Sequence, residues 1–316
     1  MQDRAATDGI TICPACGSAN GAPIGKPATA FDSVVGGKTF RQPSYSIQFC
    51  EDCGLYFKSH ILALEELGEY YACLECETYE YDGNFPTDRI LHRMLDSLPN
   101  ECKVLDFGCN TGRILKTKTS RLSCFGVEVN EAAAAIARQR GIRIVAEVQV
   151  ATGEICDFDA IILTDVYEHM LRPVELVEML VKALKPGGWI AIVTGNADAI
   201  RNREWIGEFW YFRTPAHLLM ASERHIHWLA NRLGLRIDSL RRCSHYDTPL
   251  KERLKQYLQT LAYYQFRRAP QGNVAKFLRV IPFLNRAERW SSAPALTCTT
   301  DHVVAIFRKN PECKSN

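Results

Sequence analysis

Two cysteine pairs stand far apart in the chain, Cys13-Pro14-Ala15-Cys16-Gly17 and Cys50-Glu51-Asp52-Cys53-Gly54. Two intervening residues let both thiolates of a pair turn toward one ion. The following glycine lets the backbone curl so that its amides face the sulfurs. Together the pairs offer four soft ligands, Cys13, Cys16, Cys50 and Cys53, in a tetrahedral set that suits Zn²⁺; buried thiols without a metal are the other reading. A closed four-cysteine site leaves no position for water or substrate, so its expected role is structural. The loop between the pairs carries turn signals at Gly36-Gly37 and Pro43 and a strand-like run, Tyr45 to Phe49, as in a zinc ribbon with hairpin arms. A third pair, Cys73 and Cys76, lacks the glycine and lies in a stretch, 64–80, expected to be helical; ordinary packing accounts for it.

A second group of chemically able residues begins at Asp106-Phe107-Gly108-Cys109-Asn110-Thr111-Gly112. Its glycines allow a sharp turn and the close approach of a ligand to the backbone, though many such turns bind nothing. Glu128 can accept both hydroxyls of a ribose; a plain surface glutamate is the alternative. His169, directly after Glu168, and His217, in Arg213-Thr214-Pro215-Ala216-His217-Leu218, are candidate general bases or hydrogen-bonded structural histidines.

These groups need a scaffold, and the hydrophobic pattern supplies one. A helix over 88–98 capped by Thr87 is followed after Pro99 by alternating strands and helices. Expected strands are 104–107, 123–128, 141–145, 158–163 and 189–193, with helices at 131–140, 174–184 and 222–233. A further helix should open after the glycine turn. Such alternation predicts an α/β, Rossmann-like doubly wound parallel sheet, which binds ligands beyond the carboxyl ends of its strands. Strands at 235–243 and 302–308 would complete it as an antiparallel pair. The expected division is 1–85, a ribbon module with a helical linker, and 86–316, the larger domain, carrying a helical insertion over about 244–301.

The chain has 316 residues, 47% apolar and 23% charged, which excludes wholesale disorder. A formal charge of +2 from 38 basic and 36 acidic residues gives no footprint of a nucleic-acid binder. No apolar run approaches a membrane span, and the first residues lack a signal-peptide core, so a cytoplasmic protein is expected. The 13 cysteines then read as ligands and free thiols rather than a disulfide framework.

Four segments agree in order and spacing: Val-Leu-Asp-Phe-Gly-Cys-Asn-Thr-Gly at 104–112, Gly-Val-Glu-Val-Asn at 126–130, Phe-Asp-Ala-Ile-Ile-Leu-Thr-Asp-Val-Tyr-Glu-His at 158–169, and Leu-Lys-Pro-Gly-Gly at 184–188. Over about 90–240 the chain resembles the class I S-adenosylmethionine (SAM) dependent methyltransferases. Its cysteine module also resembles the zinc-containing branch that includes sugar methyltransferases. The resemblance implies that the loop Gly108, Cys109, Asn110 and Gly112 holds the methionine part of SAM and that Asp106 orients its ammonium. It implies that Glu128 with Val129 holds the ribose, that adenine lies near Glu147, and that Thr164 and Asp165 border the methionine. Asn110 stands where many relatives have glycine, and Glu128 where many have aspartate.

Methyl transfer from a sulfonium is an in-line displacement, in which the protein mainly positions the acceptor and an oxygen acceptor must lose a proton. His217 and His169 are the expected bases. Asp165, Glu168 and His169 also resemble the Glu-x-x-Glu-His of ubiquinone-biosynthesis O-methyltransferases, which implies a possible divalent cation. The aromatic run Trp205 to Phe212 is either an acceptor wall or core packing, with Arg201, Arg203 and Arg213 nearby. The basic insertion is read as a cap, a homodimer surface, a lipid-facing element or a plain packing helix pair. The leading expectation is O-methylation of a small-molecule or glycan acceptor in secondary metabolism or polysaccharide biosynthesis. C-methylation of a nucleotide-linked sugar, RNA base methylation and a non-catalytic SAM-binding role are the alternatives. Against RNA, the fourth strand ends Thr-Asp-Val-Tyr rather than in the Asn/Asp-Pro-Pro-aromatic of amino-group methylators.

Overall fold

The computed structural model describes residues 9–74, 85–290 and 300–311. The strands of the cysteine module are β1 (Gly21–Ala28), β2 (Phe31–Val35), β3 (Lys38–Gln42), β4 (Tyr45–Cys50) and β5 (Tyr56–Lys58), followed by α1 (Leu64–Ala72). Then come α2 (Pro86–Asp96), β6 (Lys103–Phe107), β7 (Ser123–Val127), α3 (Glu131–Gln139), β8 (Arg143–Ile144), α4 (Glu147–Ala151), β9 (Phe158–Thr164), α5 (Pro173–Ala183) and β10 (Leu184–Gly195). The chain continues with β11 (Leu219–Met220), α6 (Glu223–Arg232), β12 (Leu235–Cys243), α7 (Leu250–Arg268), α8 (Asn273–Arg279) and β13 (His302–Lys309).

The central sheet has seven strands in the order β12-β13-β10-β9-β6-β7-β8. Strands β8, β7, β6, β9 and β10 run parallel, and β13 inserts antiparallel between β10 and β12. Alternation along β6, β9 and β10 splits their side chains between two cores. Leu105, Phe107, Ile161, Leu163, Ile190 and Ile192 face one, and Val104, Ala160, Ile162, Ala191 and Val193 the other. A sheet buried on both faces needs such near-continuous apolar strands. This is the doubly wound α/β sheet expected from the alternation.

Local boundaries differ in instructive ways. Thr87 does not cap α2: Pro86 takes the first helical position, where its missing N–H costs nothing, and Thr87 is buried inside the first turn. No regular helix opens after the glycine turn. Residues 112–122 form a run of turns with mixed spacing, such as Leu115 N to Gly112 O and Lys116 N to Gly112 O. The Thr117-Lys118-Thr119-Ser120 stretch is rich in residues that compete with helical hydrogen bonding. The third expected strand shrinks to two residues, and Leu184 pairs with Phe158 before the Pro-Gly-Gly, so β10 starts five residues earlier than expected. Residues 75–80 of the expected helix, and Cys76 of the third cysteine pair, lie outside the described residues.

The cysteine module does not stand apart. Its sheet has the order β1-β4-β5-β11, so β11, from beyond residue 86, completes it. Cys13, Cys50, Cys53, Leu55 and Phe57 share one buried core with Leu163, Leu180 and Ile226. The insertion, by contrast, has its own small core of Ala262, Tyr263, Phe266, Ala275, Leu284 and Ala287. Among the described residues no helix is long and apolar enough to cross a membrane.

Candidate functional site

At the end of β6 the chain turns through Gly108, at φ +76°, and Asn110, at φ +48°. A Cβ on Gly108 would lie 2.5 Å from Val166 Cγ2, so only glycine fits beside the loop that follows β9. The Gly108 and Cys109 amides both donate to the Val127 carbonyl, locking this turn to the end of β7. Glu128 accepts from the Asn110 amide at 2.8 Å and from the Asn130 amide at 2.7 Å, which holds its carboxylate beside the glycine turn. Arg140 fixes the far side by donating to the Thr111 carbonyl and hydroxyl. Cys109 is buried, with its sulfur 2.5 Å from where a Gly126 Cβ would stand; it packs under β7. Val129 is 87% exposed, and Glu147 is exposed at the start of α4, so both sit at the rim of the strand ends.

Two oxygens at these strand ends, Asp106 Oδ1 and Thr164 Oγ1, are buried without a hydrogen-bond partner among the described residues, while Asp165 Oδ1 faces His302 Nε2 at 3.6 Å. Their strands, β6 and β9, are paired neighbours. Native structures rarely leave such groups unsatisfied, and a ligand carrying an ammonium and hydroxyls supplies what they lack. Burial, reinforced by the Glu128 charge, pushes the Asp106 carboxyl up to about 7. A cation beside it would restore its ionised form.

Beyond Asp165, itself at φ +55°, the chain forms a single 3₁₀ turn, Tyr167–His169. Glu168 is fully buried, and its two oxygens accept from Thr194 Oγ1 at 2.9 Å and Tyr211 Oη at 2.8 Å. Burial and the nearby Asp165 push it up to about 7. Glu168 therefore braces the loop. Asp165, Glu168 and His169 do not gather round one point: Asp165 groups with His245 and His302, and Glu168 with His169 and His217.

His169 Nδ1 lies 3.0 Å from both the Ala216 carbonyl and the Tyr71 hydroxyl. His217 Nδ1 lies 2.9 Å from the Tyr211 carbonyl. A carbonyl can only accept, so each ring carries its proton on Nδ1 and keeps the Nε2 lone pair. The rings are 4.9 Å apart, and burial pushes His169 down to about 4 and His217 well below its ordinary value. Both are neutral at pH 7, as a proton acceptor must be.

The aromatic run divides. Ile206, Phe209, Tyr211 and Phe212 are core, packed with Tyr45, Ile47 and Tyr56 of the cysteine module. Trp210 turns its ring over His302 at 6.3 Å. Arg213 lies over the Phe31 ring at 3.7 Å, a structural placement. The residues that sequence reasoning missed are His245, Asp301 and His302. They flank the insertion, and His302 pairs with Gly195 at the carboxyl end of β10. The signal available was the Asp-His pair opening an otherwise apolar strand.

The four cysteines of the knuckles converge, their sulfurs all within 4.8 Å of one another, with Cys13–Cys53 at 3.5 Å and Cys16–Cys50 at 3.4 Å. Sulfurs about 2.3 Å from a tetrahedral ion stand about 3.8 Å apart, so the donor set fits Zn²⁺. Gly17 and Gly54 take φ of +73° and +76°, and their amides close the turns on Cys13 O and Cys50 O. The Cys53 thiol hydrogen-bonds the Cys13 sulfur, which with amides of Cys16 and Ala15 draws Cys13 down to about 5 against the cost of burial. Cys16 is pushed up to about 12, chiefly by burial.

A buried chain of contacts links this knuckle to the loop after β9. His225 Nδ1 lies 3.2 Å from the Cys53 carbonyl, and its Nε2 lies 2.6 Å from Tyr167 Oη. Ser222 Oγ donates to the Gly54 carbonyl at 2.6 Å and caps α6 by accepting from the His225 amide. Buried Lys58 donates to the Thr214 carbonyl at 2.9 Å, which holds the His217 segment. Tyr71 of α1 reaches His169 directly. The module thus forms one wall of the site.

A doubly wound sheet with an antiparallel seventh strand, a glycine turn and an acid on the next strand has the layout of a nucleotide-binding α/β domain. A family model described as a methyltransferase domain matches residues 79–240, just over half the chain, and the chain belongs to that family. Residues 79–240 are thus a methyltransferase domain. A ubiquinone biosynthesis O-methyltransferase of Idiomarina loihiensis is 27% identical over 45% of this chain and 63% of its own length. Another, from Alkalilimnicola ehrlichii, is 28% identical over 30% of this chain and 42% of its own. The chain thus spans less than two thirds of the length of either relative. Among solved structures, an N-methyltransferase of Bradyrhizobium japonicum in complex with S-adenosyl-L-homocysteine shares 16% identity over 78% of this chain and 98% of its own, with a TM-score of 0.44.

Proposed function

We propose that the protein transfers the methyl group of SAM to an oxygen of a small-molecule or sugar acceptor, in secondary metabolism or polysaccharide biosynthesis. One observation carries the reading: two neutral imidazoles, His169 and His217, keep Nε2 lone pairs beside the loop that borders the cofactor site. Bound SAM supplies an electrophilic methyl on a sulfonium. Asp106 would take its ammonium, Gly108, Asn110 and Gly112 would line its methionine, and Glu128 would accept from the ribose with the lone pairs its two amides leave open. Val129 and Glu147 would edge the adenine, and Thr164 with Asp165 would close the methionine end. Either His217 or His169 takes the acceptor proton at Nε2 as the oxygen attacks. Tyr211 and Trp210 exclude water from that side.

The same reading assigns Zn²⁺ to Cys13, Cys16, Cys50 and Cys53, as a structural ion that fixes the wall carrying Lys58 and Tyr71. It places the protein in the cytoplasm, where thiols stay reduced. Calorimetry with S-adenosylhomocysteine, followed by a radiolabelled-SAM screen of phenols, catechols and deoxysugars, tests it. Glu128→Ala should weaken cofactor affinity about 100-fold, or about 2.7 kcal/mol. His217→Gln should spare that affinity and cost turnover about 100-fold or more. Cofactor binding with no turnover on any acceptor would instead favour a regulatory SAM-binding role.

A further inference from the structure

The pair of histidines that flank the insertion has no part in the chemistry above, yet it stands at the same strand ends. His302 is the first residue of β13 and is 2% exposed. Its Nε2 lies 3.6 Å from Asp165 Oδ1. His245 follows β12 and stacks on His302 with ring centroids 4.3 Å apart. One ligand atom from each of Asp165, His245 and His302 lies within 4.8 Å of the others.

These contacts are too long for hydrogen bonds, whose N–H···O distances end near about 3.2 Å. Among the described residues Asp165 Oδ1 and His245 Nδ1 are buried without a hydrogen-bond partner, and His302 Nδ1 faces Asp301. Two donors about 2.1 Å from a tetrahedral ion stand about 3.4 Å apart, close to the separation of the His302 and Asp165 atoms. Asp301 supplies the outer support that metal-bound imidazoles usually have. It is fully buried, its Oδ1 lies 3.6 Å from His302 Nδ1, and the same oxygen accepts from the His245 amide at 2.8 Å. One carboxylate thus faces the first ring and anchors the backbone of the second.

We propose that Asp165, His245 and His302 form a binding site for one divalent transition-metal cation, separate from the four-cysteine cluster. Two imidazole nitrogens and one carboxylate oxygen are the donor set of Zn²⁺, Mn²⁺ or Fe²⁺ and poorly suited to Mg²⁺. Three protein ligands leave at least one position open. That position stands beside Trp210 and the Asp165 loop, so the ligand it would take is an oxygen donor, such as an acceptor hydroxyl. This use rests on the methyl-transfer reading; the cation site itself does not.

The test separates the two metal sites by loading order. Protein whose cysteine cluster is first filled with one equivalent of Zn²⁺ is titrated with Co²⁺. The expected result is one further equivalent bound, with weak visible bands of nitrogen and oxygen ligation and no sulfur-to-cobalt charge-transfer band. His302→Gln and His245→Gln should each weaken that uptake about 100-fold, and Asp301→Asn about 10-fold, while one Zn²⁺ per chain is retained. Circular dichroism of the three variants checks folding, and the milder Asp301→Asn keeps the test open if a histidine variant fails to fold. No uptake of Co²⁺, Mn²⁺ or further Zn²⁺ by the wild type below about 1 mM would overturn the site. Unaltered uptake by His302→Gln and His245→Gln would overturn it too. Calorimetry with S-adenosylhomocysteine on the same zinc-loaded sample keeps the two readings apart. Cofactor binding without a second cation sinks this site alone. A second cation without cofactor binding sinks the methyltransferase reading alone.

Discussion

The cysteine module and the helical insertion are both additions to the same seven-stranded sheet, but they are attached in opposite ways. The module takes β11 into its own sheet, buries Cys50, Cys53, Leu55 and Phe57 in the common core, and sends Tyr45 Oη to the Gly207 and Phe212 carbonyls. Over α7 and α8 the insertion keeps its own core and, among the described residues, meets the rest through Tyr263 Oη on Glu208 at 2.5 Å, Arg268 on Glu204 at 2.8 Å and the Tyr264 ring 6.5 Å from Trp205, while its ends, His245 and Asp301, stand against His302. It also shows Leu250, Leu254, Tyr257 and Leu261 to solvent, spaced as one face of α7. An addition that shares backbone pairing and core with the sheet becomes part of the site's framework. One that keeps its own core, as α7 and α8 do, can change there with less effect on the site.

The largest effect should come from the cysteines. Cys50→Ser should unfold the cofactor site together with the module, lowering the melting temperature by about 10 °C or more and abolishing S-adenosylhomocysteine binding. A second, independent transition at the wild-type temperature would break the comparison. Next comes the buried link: His225→Phe leaves Tyr167 Oη and the Cys53 carbonyl without their partner and should cost about 2–4 kcal/mol in urea unfolding. Metal content measured by mass spectrometry should stay at the wild-type value.

The core beneath the candidate site should carry a pH signature of similar size. The Asp106 pKa is raised to about 7, so between pH 5 and 7 the folded apoprotein holds a proton that the unfolded chain releases. Stability should therefore fall as pH rises, by about 2–3 kcal/mol over that window. Asp106→Asn should remove this part of the slope, leaving the share of Glu168, which has the same sign. An unchanged slope in the variant would show that Asp106 is already ionised without cofactor. In the insertion, Tyr263→Phe should cost only about 1–2 kcal/mol and leave cofactor affinity as it was. Smallest for stability is Leu254→Glu with Leu261→Glu, within about 0.5 kcal/mol on an exposed face. If that face pairs two chains, sedimentation velocity will show the double variant as the lighter species.

The local sequence determined more of this molecule than of its site. The C-x-x-C-G knuckles, the glycine turn, the acid at the end of β7 and the apolar strands each rest on contacts between near neighbours or on side-chain period, which adjacent residues dictate. The sequence also placed Asp106, Glu128 and Asp165 at the strand ends, because a parallel sheet puts its loops there. Tertiary structure decided the rest. Only folding brings His302 to Asp165, His225 between Cys53 and Tyr167, and Lys58 under the His217 segment. It also gave Glu168 two buried donors, Thr194 and Tyr211, and grouped it with His169 and His217 rather than Asp165. Such partners lie tens to more than a hundred residues apart, and their meeting depends on how distant apolar surfaces pack, which no local pattern encodes.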